Sequence, residues 1–196
     1  RRLRRERLEA RPARDVLPDP SRFVGAHPMA GSEQHGPDHA SADLFRGRLC
    51  ILTPHGNGVT CSERAVGVVR DLWKTVGMRL IDMSPQDHDR HMAAISHLPH
   101  AVAALLVRAA QQRDALGVAS TGFRDVTRVA SGDPTVWADI FQANRAAVME
   151  SIEVLIDDLN ALRDLLGDAR DDELFDWLKD AKNVRDAWLA QHESRS

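Results

Sequence analysis

The chain has little cysteine, no long apolar run and no glycine-rich turn of the kind that cradles a dinucleotide, and each lack narrows what it can be. Cys50 and Cys61 are the only two cysteines in 196 residues. They form no C-x-x-C pair, so free thiols in a reducing cytoplasm are expected. The longest unbroken apolar stretch, Ala101 to Val107, falls far short of the roughly 18 residues that a membrane-spanning helix needs. The arginine-rich N-terminus has no apolar segment behind it, so no signal peptide is expected. Gly56 and Gly58 in Pro54-His55-Gly56-Asn57-Gly58 lack the third glycine of G-x-G-x-x-G and the acidic residue about 20 positions on. They read as a surface turn.

What is present suits a globular protein with a core: 43% hydrophobic and 28% charged residues. The net charge of −3 is unevenly spread. Residues 1–14 hold seven arginines and two glutamates, a local +5, which leaves about −8 for the rest. That acidic body argues against a nucleic-acid partner. Residues 1–21 are expected to form a poorly ordered arginine-rich leader, ended by Pro12, Pro18 and Pro20. The start on Arg1 suggests a partial or processed sequence.

Residues 22–84 alternate strand and helix. Arg22 to Ala26 reads as a short strand, stopped by Pro28 and Gly31, with His27 just past its end. Arg48 to Thr53 is a second strand. Ser62 and Glu63 open a helix with Ala65, Val69, Leu72 and Val76 on its apolar face, Gly77 closes it, and Met78 to Met83 is a third strand. This is the βαβ rhythm of a parallel sheet.

Residues 85–196 read as all-helical. Pro99 should kink the first long helix. Asp133-Pro134 starts another, with an N-cap acceptor and proline at the first helical position. Val148, Ile152, Leu155, Leu159, Leu162 and Leu166 recur at steps of 4, 3, 4, 3 and 4, a seam that packs helix on helix, either within one subunit or across a dimer. Gly167 ends that helix, and Leu174, Trp177, Leu178, Ala181, Val184 and Trp188 line the last.

His27 stands at a predicted strand end, where open α/β sheets bind ligands, and a histidine there can exchange a proton near neutral pH. Three more blocks follow: Ser96-His97-Leu98-Pro99-His100, Thr121-Gly122-Phe123-Arg124-Asp125-Val126-Thr127-Arg128 and Gly132-Asp133-Pro134-Thr135-Val136-Trp137. With His27-Pro28-Met29-Ala30-Gly31-Ser32-Glu33, in this order and spacing, the chain resembles prephenate dehydrogenase, an oxidoreductase of tyrosine biosynthesis. The likeness runs from about Arg22 into the last helix.

The resemblance implies the last strands of a Rossmann-like parallel sheet followed by a helical substrate-binding and dimerisation domain, in effect the back half of a two-domain enzyme. It implies prephenate as substrate, NAD or NADP as hydride acceptor, and a homodimer without membrane. On the family's pattern His27 is the catalytic base and Arg128 binds a carboxylate. His100 and Ser96 lie near the substrate, and Ser32 and Glu33 line the cleft, Ser32 standing where threonine is usual. Asp125 either orients Arg128 or is a surface acid, and Trp137 either walls the pocket or is core. His88 with His91, and His97 with His100, form two H-x2-H pairs, but no further ligand completes a zinc set and no metal is expected. Without a glycine-rich turn, no residue here is expected to bind the cofactor and the chain alone is expected to be inactive. Arogenate dehydrogenase is the near alternative; a non-catalytic helical interaction module is the one from another class.

Overall fold

In the computed structural model of the chain, residues 17–30, 40–56 and 59–193 are described. They fall into two compact units, Arg1–His91 and Met92–Ser196. Most of the expected leader, and Ser32 and Glu33, lie outside the described residues.

The first unit is built on a buried strand. Leu49–Thr53 (β2) pairs antiparallel with Gly25–Pro28 (β1) and parallel with Arg79–Asp82 (β5). Cys50, Ile51 and Leu52 are buried, and Cys50 and Leu52 form the core with Met78. A run of buried apolar residues is what a central strand covered on both faces requires. Between β2 and the helix, His55–Gly56 (β3) and Val59–Thr60 (β4) pair antiparallel. Of the surface turn read from the sequence, His55 and Gly56 lie in a paired strand, and Asn57 and Gly58 lie outside the described residues.

The first strand departs from expectation in position and direction. Asp19 accepts a hydrogen bond from the Ser21 amide and caps a 3-10 turn over Pro20–Arg22, which takes Arg22 out of the strand. Extension then continues through His27 and Pro28. Proline is tolerated because β1 lies at the edge of the three-stranded sheet and Pro28 is its last residue. The Met29 amide takes up the ladder again, donating to the Leu49 carbonyl at 2.7 Å. The sheet is thus mixed: β2 and β5 are parallel, β1 is not.

Glu63–Thr75 (α1) begins as expected, with the Ser62 hydroxyl accepting from the Ala65 amide. Its C-terminus turns on Gly77 at φ +85°, where a side chain would be strained. The buried face is rotated from the expected one: Val69 and Trp73 pack on the core, while Leu72 and Val76 are exposed. The indole of Trp73, edge-on to Phe45 at 5.6 Å, supplies more apolar area than Leu72 would and sets the rotation. Ser84 caps Pro85–Met92 (α2), its hydroxyl accepting from the Asp87 amide at 3.0 Å.

In the second unit, a π turn over Ala93–His97 leads into Leu98–Gln112 (α3). Pro99 cannot donate a backbone hydrogen bond. The wider turn, closed by Leu98 N–H to the Ala93 carbonyl, brings the chain to it in the first turn of α3, where none is needed. The run Pro85–Gln112 is long and apolar enough, by length and composition, to cross a membrane. It also carries Asp87, Asp89 and four histidines, and within it Met92, Ala93, His100 and Ala103 are buried.

Thr121–Thr127 (α4) is followed by a 3-10 turn over Arg128–Ser131. Pro134–Ala143 (α5) has the expected cap, Asp133 Oδ1 accepting from the amides of Thr135 at 2.7 Å and Val136 at 3.4 Å. Arg145–Gly167 (α6) divides the expected seam. Val148 is buried within its own unit, Ile152, Leu155 and Leu162 are half-buried, and Leu159 and Leu166 are exposed. Leu165, one residue off the seam, is buried instead. The helix is closed by Ala169 at φ +53°, with Arg170 N–H reaching the Leu165 carbonyl, rather than by Gly167 itself. On Asp171–Glu193 (α7) the expected apolar face is largely open: Leu174 is half-buried, whereas Trp177, Leu178, Val184 and Trp188 are exposed.

Leu52 is fully buried at the centre of the sheet. Leu52→Ala should lower the unfolding free energy by about 2–5 kcal/mol, read from urea titration.

Candidate active site

His27, the third residue of β1, lies opposite Ile51 of β2. β5 runs beside β2, and its exit through Met83, whose amide donates to the Leu52 carbonyl, starts α2. Because β1 is antiparallel to β2, the first turn of α2 comes back past the start of β1, beside Gly25 and Ala26. His27 Nδ1 and His88 Nε2 are 2.8 Å apart, with the rings edge-on at a centroid distance of 5.1 Å. His88 Nδ1 faces Asp89 Oδ1 at 2.9 Å. A pocket of about 230 Å³ opens here, lined by Gly25, Ala26, His27, Ile51, Thr53, Pro85, His88 and Asp89. His27 is exposed on its strand, and partial desolvation by the surrounding chain, then the neighbouring His88, lower its pKa from the usual value. At neutral pH His27 is thus a neutral imidazole with proton-accepting capacity.

His88 is a residue whose role the sequence concealed. Its spacing to His91 is that of a zinc-binding pair, yet its two nitrogens face His27 and Asp89, and His91 Nδ1 donates to the Asp87 carbonyl at 2.6 Å. Among the described residues no group of three or more His, Cys, Asp or Glu is placed to hold a metal. The one available signal was the His88-Asp89 pair four residues after a serine cap.

The second unit carries an aromatic cluster. The His100 ring is buried and stacks on Trp137, with centroids 3.6 Å apart and planes 14° from parallel. Phe141 stands 6.2 Å from His100 and 5.9 Å from Trp137. His97 packs edge-on to Trp137 and accepts from the Asn144 amide at Nδ1, 3.2 Å away. Gly132 makes the stack feasible, since a Cβ there would lie 2.3 Å from Trp137 Nε1 and 3.2 Å from His100 Cε1. His100 Nδ1 is buried without a hydrogen-bond partner among the described residues. Burial also lowers the His100 pKa. Trp137 is half-buried and packs against His100 and Phe141. Phe141, Asn144 and Gly132 were not singled out from sequence; the glycine's only signal was its place before Asp133-Pro134.

Ser96 is half-buried in the π turn. Arg128 is exposed at the start of its 3-10 turn, directly after Thr127, whose buried hydroxyl donates to the Phe123 carbonyl at 2.7 Å. Asp125 is exposed and pairs with Arg124 at 3.5 Å, an arrangement worth little in stability.

A small mixed sheet followed by a helical unit is an architecture shared, over most of this chain, with solved dehydrogenase structures. The family model for the prephenate dehydrogenase nucleotide-binding domain matches residues 7–82, and that for the prephenate dehydrogenase dimerization domain matches residues 84–180. Prephenate dehydrogenase of Bacillus subtilis (strain 168) is 36% identical over 179 residues, covering 89% of this chain and 47% of the relative. Cyclohexadienyl dehydrogenase of Zymomonas mobilis is 33% identical, covering 88% of this chain and 60% of the relative. Among solved structures, prephenate dehydrogenase from A. aeolicus in complex with hydroxyphenyl propionate and NAD+ superposes with a TM-score of 0.78 at 37% identity, covering 84% of this chain and 58% of that one. Synechocystis arogenate dehydrogenase gives 0.74 at 30% identity, covering 85% and 61%. The chain belongs to the prephenate dehydrogenase family. It spans about half the length of the Bacillus relative.

Both lowered histidines bind fewer protons in the folded state than in the unfolded state just below pH 6.5. Stability should therefore fall as pH drops from about 6.5 toward the folded values, and be insensitive to these groups above it. Melting temperatures between pH 7.5 and 5.5 would show the decline. His100→Phe, which keeps a stacking ring but does not titrate, should flatten it.

Proposed function

We propose that this chain carries the proton-accepting and anion-binding residues of a prephenate dehydrogenase, which converts prephenate to 4-hydroxyphenylpyruvate by oxidation and decarboxylation. The observation that carries this reading is the neutral His27, held by a hydrogen bond beside a pocket, in a chain of this family. His27 Nε2 takes the proton of the ring hydroxyl. Hydride leaves the same carbon, the ring carboxylate departs as carbon dioxide, and the ring becomes aromatic.

Arg128 binds a substrate carboxylate, its planar guanidinium matching two oxygens at once. His100 and Ser96 meet the substrate, with Trp137 as an apolar wall and Asp125 beside the anion-binding arginine. Ser32 and Glu33 belong to the same proposal through the block they share with His27. Arogenate, with an amine in place of the keto group, is the second substrate, favoured by the likeness to the Synechocystis enzyme.

The reaction also needs NAD or NADP as hydride acceptor. The residues present do not fit the dinucleotide: the 196 residues contain no glycine-rich turn for its pyrophosphate. No residue is assigned to holding it. We accordingly propose that the chain alone is inactive, and that the enzyme works in the cytoplasm, where Cys50 and Cys61 stay reduced. The proposed domain limits are those read from sequence, a leader over 1–21, an α/β part over 22–84 and a helical part over 85–196.

The purified chain should form no NADH from prephenate; turnover would refute its proposed inactivity. In an enzyme form that binds the dinucleotide, His27→Asn should lower kcat by about 10²–10⁴-fold with little change in KM. Arg128→Ala should mainly raise KM, because its contact is already made in the ground state. The opposite pattern would exchange the roles of base and anchor.

A homodimer is proposed for the helical part. Its support is the dimerization-domain match together with the apolar side chains that α6 and α7 leave exposed, Leu159 and Leu166 on one, Phe175, Leu178 and Val184 on the other. Sedimentation should show a dimer at micromolar concentration. Leu159→Lys with Leu166→Lys should yield a monomer of nearly unchanged melting temperature, since both side chains are exposed within the chain.

A further inference from the structure

We propose that His88, fixed by Asp89, is a positioning residue that holds His27 in the tautomer needed of a base. The inference rests on the reading of His27 as the proton acceptor and extends it to the residues behind it. A carboxylate only accepts hydrogen bonds, so the 2.9 Å contact between Asp89 Oδ1 and His88 Nδ1 places the neutral ring's proton on Nδ1. His88 Nε2 is then a bare acceptor. At 2.8 Å it can be satisfied only by a donor, which makes His27 Nδ1 the protonated nitrogen. His27 Nε2 is left with its lone pair. One carboxylate thus fixes the protons of two rings, and the outcome at the far end is a free acceptor.

The chain also holds orientation. His27 stands on β1, whose register on β2 is set by four residue pairs, and His88 stands on α2, whose start is capped by Ser84. The hydrogen bond between them ties two independently anchored rings, so His27 loses rotational freedom before substrate arrives. When His27 takes a proton at Nε2, its Nδ1–H stays on His88 and no other proton moves. Neither His88 nor Asp89 needs to touch the substrate for this. A surface histidine with an adjacent carboxylate would be the bland reading, but it does not account for the contact between residues 61 apart in sequence.

The test reads protonation directly in the chain as it is. With ¹⁵N-labelled histidine at pH 8, long-range ¹⁵N–¹H correlation should show His27 protonated at Nδ1 and bare at Nε2, its signals assigned by their loss in His27→Asn. His88→Phe should move His27 toward the Nε2–H form that free histidine prefers in water. His88→Gln, whose amide oxygen can accept from Nδ1–H, should retain the original form. An Nε2–H pattern in the unaltered chain would overturn the proposal without recourse to any variant, and so would a pattern indifferent to His88→Phe. In an enzyme form that binds the dinucleotide, His88→Phe should lower kcat at least tenfold with KM for prephenate unchanged, and His88→Gln should recover part of the loss; a rise in KM alone would overturn the positioning role. Failure of the base reading looks different: His27→Asn would keep its turnover while the Nδ1–H pattern persisted, and the orienting chain would still be supported.

Discussion

The pairing of β2 with a strand on each side is the constraint on which the first unit depends. Cys50, Ile51 and Leu52 are buried, so β2 cannot slip by one residue without turning its apolar set around. Both histidines are referred to that fixed strand. His27 is set by the β1 register, opposite Ile51. His88 is set through β5, paired with β2 up to Asp82, and through the cap that starts α2 two residues later. Arg70 of α1 and Asp82 form an ion pair that ties the helix to the end of the same strand. A contact of 2.8 Å between residues distant in sequence is therefore a consequence of backbone hydrogen bonds, not of a flexible reach.

The second unit solves a different problem, that of carrying polar rings on apolar helices. Two devices do it. The π turn before Pro99 adds a residue to one turn, which sets the faces of His97 and His100 without leaving a broken hydrogen bond inside a regular helix. The absence of a side chain at Gly132 then lets Trp137 lie flat on His100. Asn144, between α5 and α6, occupies His97 Nδ1. Among the described residues, His100 Nδ1 is the buried side-chain polar atom left without a hydrogen-bond partner.

Much of this was legible in the sequence where the signal was local. The Ser62 cap, the Asp133-Pro134 start and the β2 strand depend on neighbouring residues, and all three formed as the local chemistry dictates. Long-range competition decided the rest. Pro28 looks like a stop, but at an edge its missing donor costs no ladder bond, so β1 runs through it. Leu72 fits the helical period as well as Trp73 does, and the larger side chain took the interior. In α6 the heptad-like steps did not reveal which side chains its own unit would cover: Val148 is buried and Leu166 exposed on one seam. His88 was legible as a histidine and illegible as a partner of His27, because antiparallel pairing of β1 is what brings the two together.

The one polar group left over bears on function. His100 Nδ1 is buried with no hydrogen-bond partner among the described residues, and such an atom costs about 1–3 kcal/mol. Stacking on Trp137 and packing near Phe141 offset that cost by burying the ring faces, worth about 0.5–1.5 kcal/mol per aromatic pair beyond area. The stack fixes the plane of the imidazole without using its nitrogens. Burial also keeps the ring neutral, so one nitrogen donates and the other accepts. A purely structural site would be better served by a phenylalanine, which packs on indole and leaves no polar atom stranded. A histidine held flat and neutral, with a buried nitrogen unbonded among the described residues, keeps a hydrogen-bonding capacity that phenylalanine lacks, and this supports placing His100 rather than Phe141 in the proposed substrate site.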